Sequence, residues 1–198
     1  GVFRNAKRVV VWLHAATSFD PKAADFGCDG AVPVLNRSVK DDFAVVRDRA
    51  VLDHAGYYNR VSIDLGSAPE KVKALPTRER VARCRAGETD VGLQELMFRY
   101  GRYLLISCSR PGALPATCQG MWNESNDPPW SCDYHTNINM QMNYWGAETS
   151  NLSEMWGPMA DLMYNSMPVA SEETRKAFPA SKGFAFRTSM NIFGGQGW

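Results

Sequence analysis

Residues 133 to 148 read Asp-Tyr-His-Thr-Asn-Ile-Asn-Met-Gln-Met-Asn-Tyr-Trp-Gly-Ala-Glu. His135, Asn137 and Asn139 fall at every second position, with Tyr134, Thr136 and Ile138 in the gaps. In an extended segment alternate side chains share a face, so the three polar groups converge on one side. On a helix, residues two apart point about 200° apart, and Asn137 and Asn139 would not meet. The spacing therefore predicts an extended segment over 133–138. A helix follows from Asn139, a good N-cap type because its side-chain oxygen can accept a free backbone N–H. That helix is apolar at Met140, Met142, Tyr144, Trp145 and Ala147. Gln141 and Glu148, seven apart, share a face. A buried helix with a polar face lines a cavity, a ligand or a partner.

Asparagine cannot act alone as a general base. Its amide oxygen can accept a water's hydrogens and aim the water's lone pair, while a carboxylate takes the proton. From the residues alone two readings stand. His135, Asn137 and Asn139 form a site, or they belong to an Asn-rich helix entry whose side chains cap backbone groups. Trp122, Trp130, Trp145 and Trp156 lie within 35 residues of one another. Aromatic faces stack on the C–H faces of sugars and also fill cores. Trp122 and Trp130 fall on loop sequence and are the better ligand candidates.

Working upstream, Asp90 is a predicted N-cap for the clearest helix. Leu93, Leu96, Met97, Tyr100, Tyr103 and Leu104 follow the i, i+3, i+4, i+7 spacing, and Pro111-Gly112 ends it. Residues 110–132 form a long loop carrying four prolines. Residues 67–89 are charged, with a short helix at 77–85. Ser62–Gly66 reads as a short strand. From Ser38 onward Ala44, Val45, Val51, Leu52, Ala55 and Tyr58 make a helical stripe. Residues 8–15, Arg-Val-Val-Val-Trp-Leu-His-Ala, are β-branched and apolar and predict a buried strand. Loop sequence with Pro21, Gly27, Gly30 and Pro33 follows. Downstream, Asn151-Leu-Ser-Glu opens a helix to about Met167, with Ser153 as an alternative cap. A further helix is expected from Ser171 to Phe178, then strand-like Phe184–Met190.

The chain of 198 residues is 44% apolar and 22% charged, the balance of a soluble globular protein. A net charge of +1 gives no case for nucleic acid. Residues 110–170 hold Arg110 against six acids, a field that repels phosphates and suits a neutral or cationic ligand. No apolar run approaches the ~20 residues of a membrane span. The five cysteines, Cys28, Cys84, Cys108, Cys118 and Cys132, include no C-x-x-C pair. With three histidines in all, no metal site is expected.

Residues 94–154 resemble glycoside hydrolase family 95, the inverting α-L-fucosidases. The resemblance is carried by Phe-Arg-Tyr-Gly-Arg-Tyr-Leu-Leu-Ile at 98–106, Ser-Arg-Pro-Gly at 109–112 and Gln-Gly-Met-Trp-Asn at 119–123. Pro-Pro-Trp at 128–130, the 133–145 stretch and Asn-Leu-Ser-Glu at 151–154 extend it. Weaker matches at 15–19, 60–66, 75–77 and 191–194 reach most of the chain. Thr117-Cys118 and Gly146 depart from the family pattern, which usually has Asn-Leu and proline there.

The resemblance implies a mainly α fold with an N-terminal β segment. Residues 1–36 would end a β-sandwich, 37–89 would be a helical linker, and 90–198 would begin an (α/α)6 catalytic barrel. Such a barrel needs on the order of 200 residues, so the chain reads as part of a longer enzyme, cut at both ends. The resemblance further implies hydrolysis of terminal α-L-fucosides, α-1,2-linked, on oligosaccharides or glycans. It implies inversion, no cofactor, and a secreted or periplasmic location. Asn137 and Asn139 map to the water-positioning pair and His135 to a sugar contact, with Trp122 as a further binding candidate. The general-acid glutamate and base-side aspartate are expected beyond residue 198. Three alternatives remain. One is a parent preferring α-L-galactosides, since an apolar pocket rejects an added hydroxyl weakly. Another is a non-catalytic sugar-binding remnant, unless Glu124, Glu148 or Glu154 supplies the acid. The last, a plain helical interaction protein, leaves the His-x-Asn-x-Asn pattern unexplained.

Overall fold

Asp42 starts the first helix among the described residues. Its Oδ1 accepts the Ala44 N–H at 2.7 Å, which satisfies one orphan donor of the first turn, and its carbonyl accepts the first intrahelical bond, from Val46. The computed structural model describes residues 4–13 and 40–197. The chain divides into two compact units, residues 1–56 and 57–198. Helix α1, Phe43–Tyr58, crosses that division and buries none of its residues. The predicted helix is present, but Val45, Val51 and Leu52 of its expected stripe are exposed.

The strand predicted over 8–15 is not formed at residues 8–13, which have no ladder partner. Val11 and Leu13 are 79% and 91% exposed. A β-branched run becomes a strand only where another strand pairs with it, and none does among the described residues. His14, Ala15 and the loop that follows lie outside the described residues.

In the second unit, α2 (Glu70–Lys73) and α3 (Thr77–Arg85) each start behind a proline, Pro69 and Pro76. Helix α3 has the bounds predicted for it. Ser62–Gly66 is not a strand. Side chains of the next helix hold it instead. The Leu65 N–H donates to Glu95 and the Ile63 carbonyl accepts from Arg99.

That helix, α4 (Val91–Cys108), begins as predicted. Asp90 Oδ1 accepts the Leu93 N–H at 2.9 Å. The same carboxylate receives two bonds from buried Arg80, at 2.7 and 2.8 Å, which tie α3 to the start of α4. Arg80 and the Leu93 N–H hold the Asp90 carboxyl down at about 2 against the opposing effect of burial. Above its ordinary value of 3.8 the group is ionised folded and unfolded, and its contribution to stability is complete. As pH falls from about 4 toward 2 the unfolded chain takes up the proton first, and that contribution drains away. Melting curves of wild type and Asp90→Asn should differ most above pH 4 and converge toward pH 2. A constant difference across that range would remove Asp90 from the acid response.

The face α4 buries is not the predicted one. Arg102, Leu105 and Ile106 are inside, whereas Leu96, Met97 and Tyr100 are exposed. Leu105 and Ile106 enter a core with Ala116, Tyr134, Met140, Tyr144, Ala147, Leu152, Met155, Met159, Leu162 and Met190. Ser109, fully buried at the end of α4, donates to the Met155 carbonyl at 2.8 Å. Its oxygen lies 2.6 Å from the Tyr144 hydroxyl, which in turn accepts the Ala116 N–H at 2.8 Å. Since the Ser109 proton is committed to Met155, Tyr144 donates to Ser109. Each hydroxyl in this apolar setting then has a partner.

Downstream, a 3-10 turn at Ser153–Trp156 leads into α5, Gly157–Ala177. Two helices were expected here, broken near Met167. One continuous helix is found, with Pro168 inside it. Pro168 has no N–H to donate to the Tyr164 carbonyl one turn back, at an exposed residue. No side chain caps this helix, Ser153 included. Three two-residue strands form an antiparallel sheet in chain order: β1 Tyr134–His135, β2 Ser189–Met190 and β3 Gln196–Gly197. Of the strand-like run 184–190 only β2 is a strand. At Gly197 in β3 an added Cβ would meet the Ser189 hydroxyl, which would have to turn away. No helix among the described residues is long and apolar enough to cross a membrane. Among the described residues the fold is mostly helical with this one small sheet.

Candidate active site

Two tight backbone features bring the site together. Thr117 and Gly120 exchange backbone bonds of 3.0 Å, closing a hairpin tip that carries Cys118 and Gln119. Gly120 has φ +68°, and a Cβ there would strike the Trp122 ring at 2.9 Å, so glycine is required. The Cys118 N–H donates to the Asp133 carbonyl, laying the tip beside β1. Ahead of β1, Trp130, Ser131 and Cys132 all have left-handed backbones, with φ of 58°, 55° and 51°. Three such non-glycine residues in a row cost roughly 1–2 kcal/mol each. Strain of this kind persists where surrounding structure over-determines it, and it clusters at functional sites.

The run places the Trp130 ring edge-on to His135, with centroids 5.6 Å apart. His135 itself is 8% exposed. Its Nε2 lies 2.6 Å from Asp133 Oδ1. The two atoms are within ion-pair distance, yet Oδ1 is buried without a hydrogen bond. Asp133 and His135 are two apart, so alternation puts them on one side of the backbone.

A cavity of about 360 Å³ opens over this group. It is lined by Cys118, Gln119, Trp130, His135, Asn137, Asn139, Thr188 and Ser189. The convergence expected of His135, Asn137 and Asn139 is therefore present, though by another route. The strand stops at His135, and residues 136–138 are a turn. The Thr136 N–H bonds the Thr188 carbonyl, its hydroxyl bonds the Arg187 carbonyl, and Gln141 Nε2 reaches back to the Thr136 carbonyl at 2.7 Å. This lashing folds the turn so that both asparagines return to the cavity.

Asn139 is the first residue of a short helix, Asn139–Tyr144. It is not the cap. Ile138 holds that position, and the helix has no side-chain cap bond. The helix is one and a half turns long. Gly146 and Glu148 lie in the turns beyond it, and Met142 and Trp145 are exposed, so the expected longer buried helix is not formed.

The other candidates fall elsewhere. Trp122 lines a neighbouring cavity of about 370 Å³, which also touches Cys118, Gln119 and Asn143. Glu124, Glu148 and Glu154 are exposed and absent from the His135 cavity. Glu154 bonds Arg60 at 2.6 Å, which holds its carboxyl below the usual range and favours the ionised form over the acid. Sequence spacing missed the approach of Cys118 to Asp133 and His135. The three offer ligand atoms all within 4.8 Å of one another. Burial pushes the Cys118 thiol up, partly offset by the His135 backbone N–H.

A half-enclosed cavity with three neutral amides, an imidazole and an indole suits a polar, uncharged ligand with C–H faces. Residues 42–197 match the glycosyl hydrolase family 95 catalytic domain. The chain belongs to that family. An Arabidopsis thaliana protein named alpha-L-fucosidase 2 is 40% identical over 93% of this chain and 23% of its own length. Proteins named probable alpha-fucosidase A are 36% identical in Aspergillus niger and 30% in Aspergillus oryzae. They cover 95% and 98% of the chain, and 25% and 28% of their own lengths. The chain thus spans about a quarter of the length of the curated relatives it matches.

Proposed function

We propose that this chain carries the water-positioning side of a glycoside hydrolase active site, in a protein that cleaves terminal α-L-fucosides with inversion. The observation that carries the reading is the joint placement of His135, Asn137 and Asn139 on one cavity, in a segment where no side chain caps the following helix. The capping alternative needed such bonds. The names of the relatives supply the sugar.

In the proposed reaction a water sits between the two asparagines and the anomeric carbon. Their amide oxygens accept its hydrogens and fix the direction of attack. An aspartate and a glutamate, not among the carboxylates seen near this cavity, take the proton and protonate the leaving oxygen. Inversion requires room for that water, with the usual carboxyl separation roughly 6.5–9.5 Å. His135 bonds a sugar hydroxyl, and Trp130 offers an aromatic wall to a C–H face. A sugar-binding role without hydrolysis is favoured by one observation only, that none of Glu124, Glu148 and Glu154 reaches the cavity.

The full-length protein should be assayed on an α-1,2-fucosylated lactose and on aryl α-L-fucoside and α-L-galactoside, with NMR of the first-formed sugar. Release of β-L-fucose is the expected result. Retention of configuration would overturn the water-positioning role, and binding of fucose without turnover would favour the sugar-binding alternative.

A further inference from the structure

The geometry points to a binding site for a zinc-class divalent cation formed by Cys118, Asp133 and His135, at the cavity described above. Sulfur, imidazole nitrogen and carboxylate oxygen are the donor types that zinc selects. Here one of each meets two others, with all three atoms within 4.8 Å. In tetrahedral coordination at about 2.0–2.3 Å per bond, donor atoms lie roughly 3–4 Å apart. To reach that, the Asp133–His135 separation of 2.6 Å has to widen, while the others start at no more than 4.8 Å.

Three further observations support the site. Asp133 Oδ1 is buried and has no hydrogen bond, although it lies 2.6 Å from His135 Nε2. A buried carboxylate oxygen in that condition is costly, and a cation would relieve it. The donors sit on well-anchored backbone, Cys118 on a closed hairpin tip bonded to Asp133, and His135 in β1. Charge also balances. A thiolate and a carboxylate together neutralise one dication, in a region with six acids against one base. On coordination the Cys118 S–H bond breaks, the sulfur binds the ion, and the proton leaves to solvent.

Three protein donors leave a fourth position, as in zinc sites that keep one place for water or another ligand. Cys118 and His135 line the cavity with Asn137 and Asn139, so a bound ion occupies space at the same cavity. If the fucosidase reading holds, on which this consequence alone rests, zinc inhibits hydrolysis and a chelator restores it.

The test is titration of the reduced full-length protein with Cd2+, reading the ultraviolet thiolate-to-metal charge-transfer absorption, followed by competition with Zn2+. One ion per chain is expected. Cys118→Ser should abolish the band, Cys132→Ser should retain it, and Asp133→Asn should weaken binding by about tenfold or more. Melting temperatures of the variants establish that each is folded. Absence of the band in wild type would overturn the site, as would a band that depends on Cys132 rather than Cys118. The two readings fail separately. Fucoside turnover with no Cys118-dependent band removes the metal site alone, and a Cys118-dependent band without turnover removes the fucosidase reading alone.

Discussion

Asn139→Ala lowers kcat on an α-L-fucoside by about 10²- to 10³-fold while KM stays within about threefold. The asymmetry follows from the proposed role. An amide that aligns the attacking water touches the reacting atoms in the transition state and contributes little to holding the sugar. Its removal leaves the water free to sample unproductive directions, so the loss falls on the chemical step. Asn139 is exposed and caps nothing, so the variant should melt within about 2 °C of wild type. Asn137→Ala should show the same split. The double variant should be little worse than either single one, because half of a water clamp orients poorly. Stopped-flow or steady-state assays with matched melting curves decide the matter. Turnover near wild type in Asn139→Ala would remove the role. A raised KM with unchanged kcat would make the residue a sugar contact instead.

The site was legible in sequence as a set of residues but not as a geometry. Polar side chains at 135, 137 and 139 do share a cavity, yet the strand meant to align them ends at His135. A turn held by Thr136 and Gln141 does the alignment, and those bonds depend on residues 187 and 188, far away in sequence. Cys118 was unreadable as a neighbour of Asp133 for the same reason. Fifteen residues separate them, and only the hairpin closed by Thr117 and Gly120 removes the distance. Local chemistry was more transparent. Asp90 caps α4, and Pro76 precedes a helix with the bounds read from its charged, loop-flanked segment. Which face of α4 turns inward was not. Hydropathy selects Leu96, Met97 and Tyr100, whereas packing selects a face containing a guanidinium. A periodicity rule has no means of knowing that backbone carbonyls will gather around an arginine.

That guanidinium carries the second large effect. Arg102→Met should destabilise the protein by about 3–5 kcal/mol, read from urea unfolding of the full-length chain. Arg102 is buried and donates to four carbonyls: Tyr57 at 2.9 Å, Tyr58 at 2.5 Å, and Val61 and Ser150 at 3.2 Å. Its charge is also desolvated, which pulls its pKa down from the ordinary value. Replacing a buried charge with a methionine of similar volume can be neutral when the partners are replaced too. Here the partners are backbone and remain. Methionine fills the space, but four acceptors lose their donor, each at about 1–3 kcal/mol where water does not reach them. Relief of the desolvated charge offsets part of that sum, which is why the expected loss is smaller than four full penalties. Arg102→Lys tests the geometry. An ammonium keeps the charge but, as a compact group with three donors, cannot reach four carbonyls spread across residues 57–61 and 150. It should recover no more than about half of the loss. A cost under about 1 kcal/mol for the methionine variant would mean that water enters and satisfies the carbonyls. Full recovery by lysine would make charge, rather than the planar fork, the source of the stability.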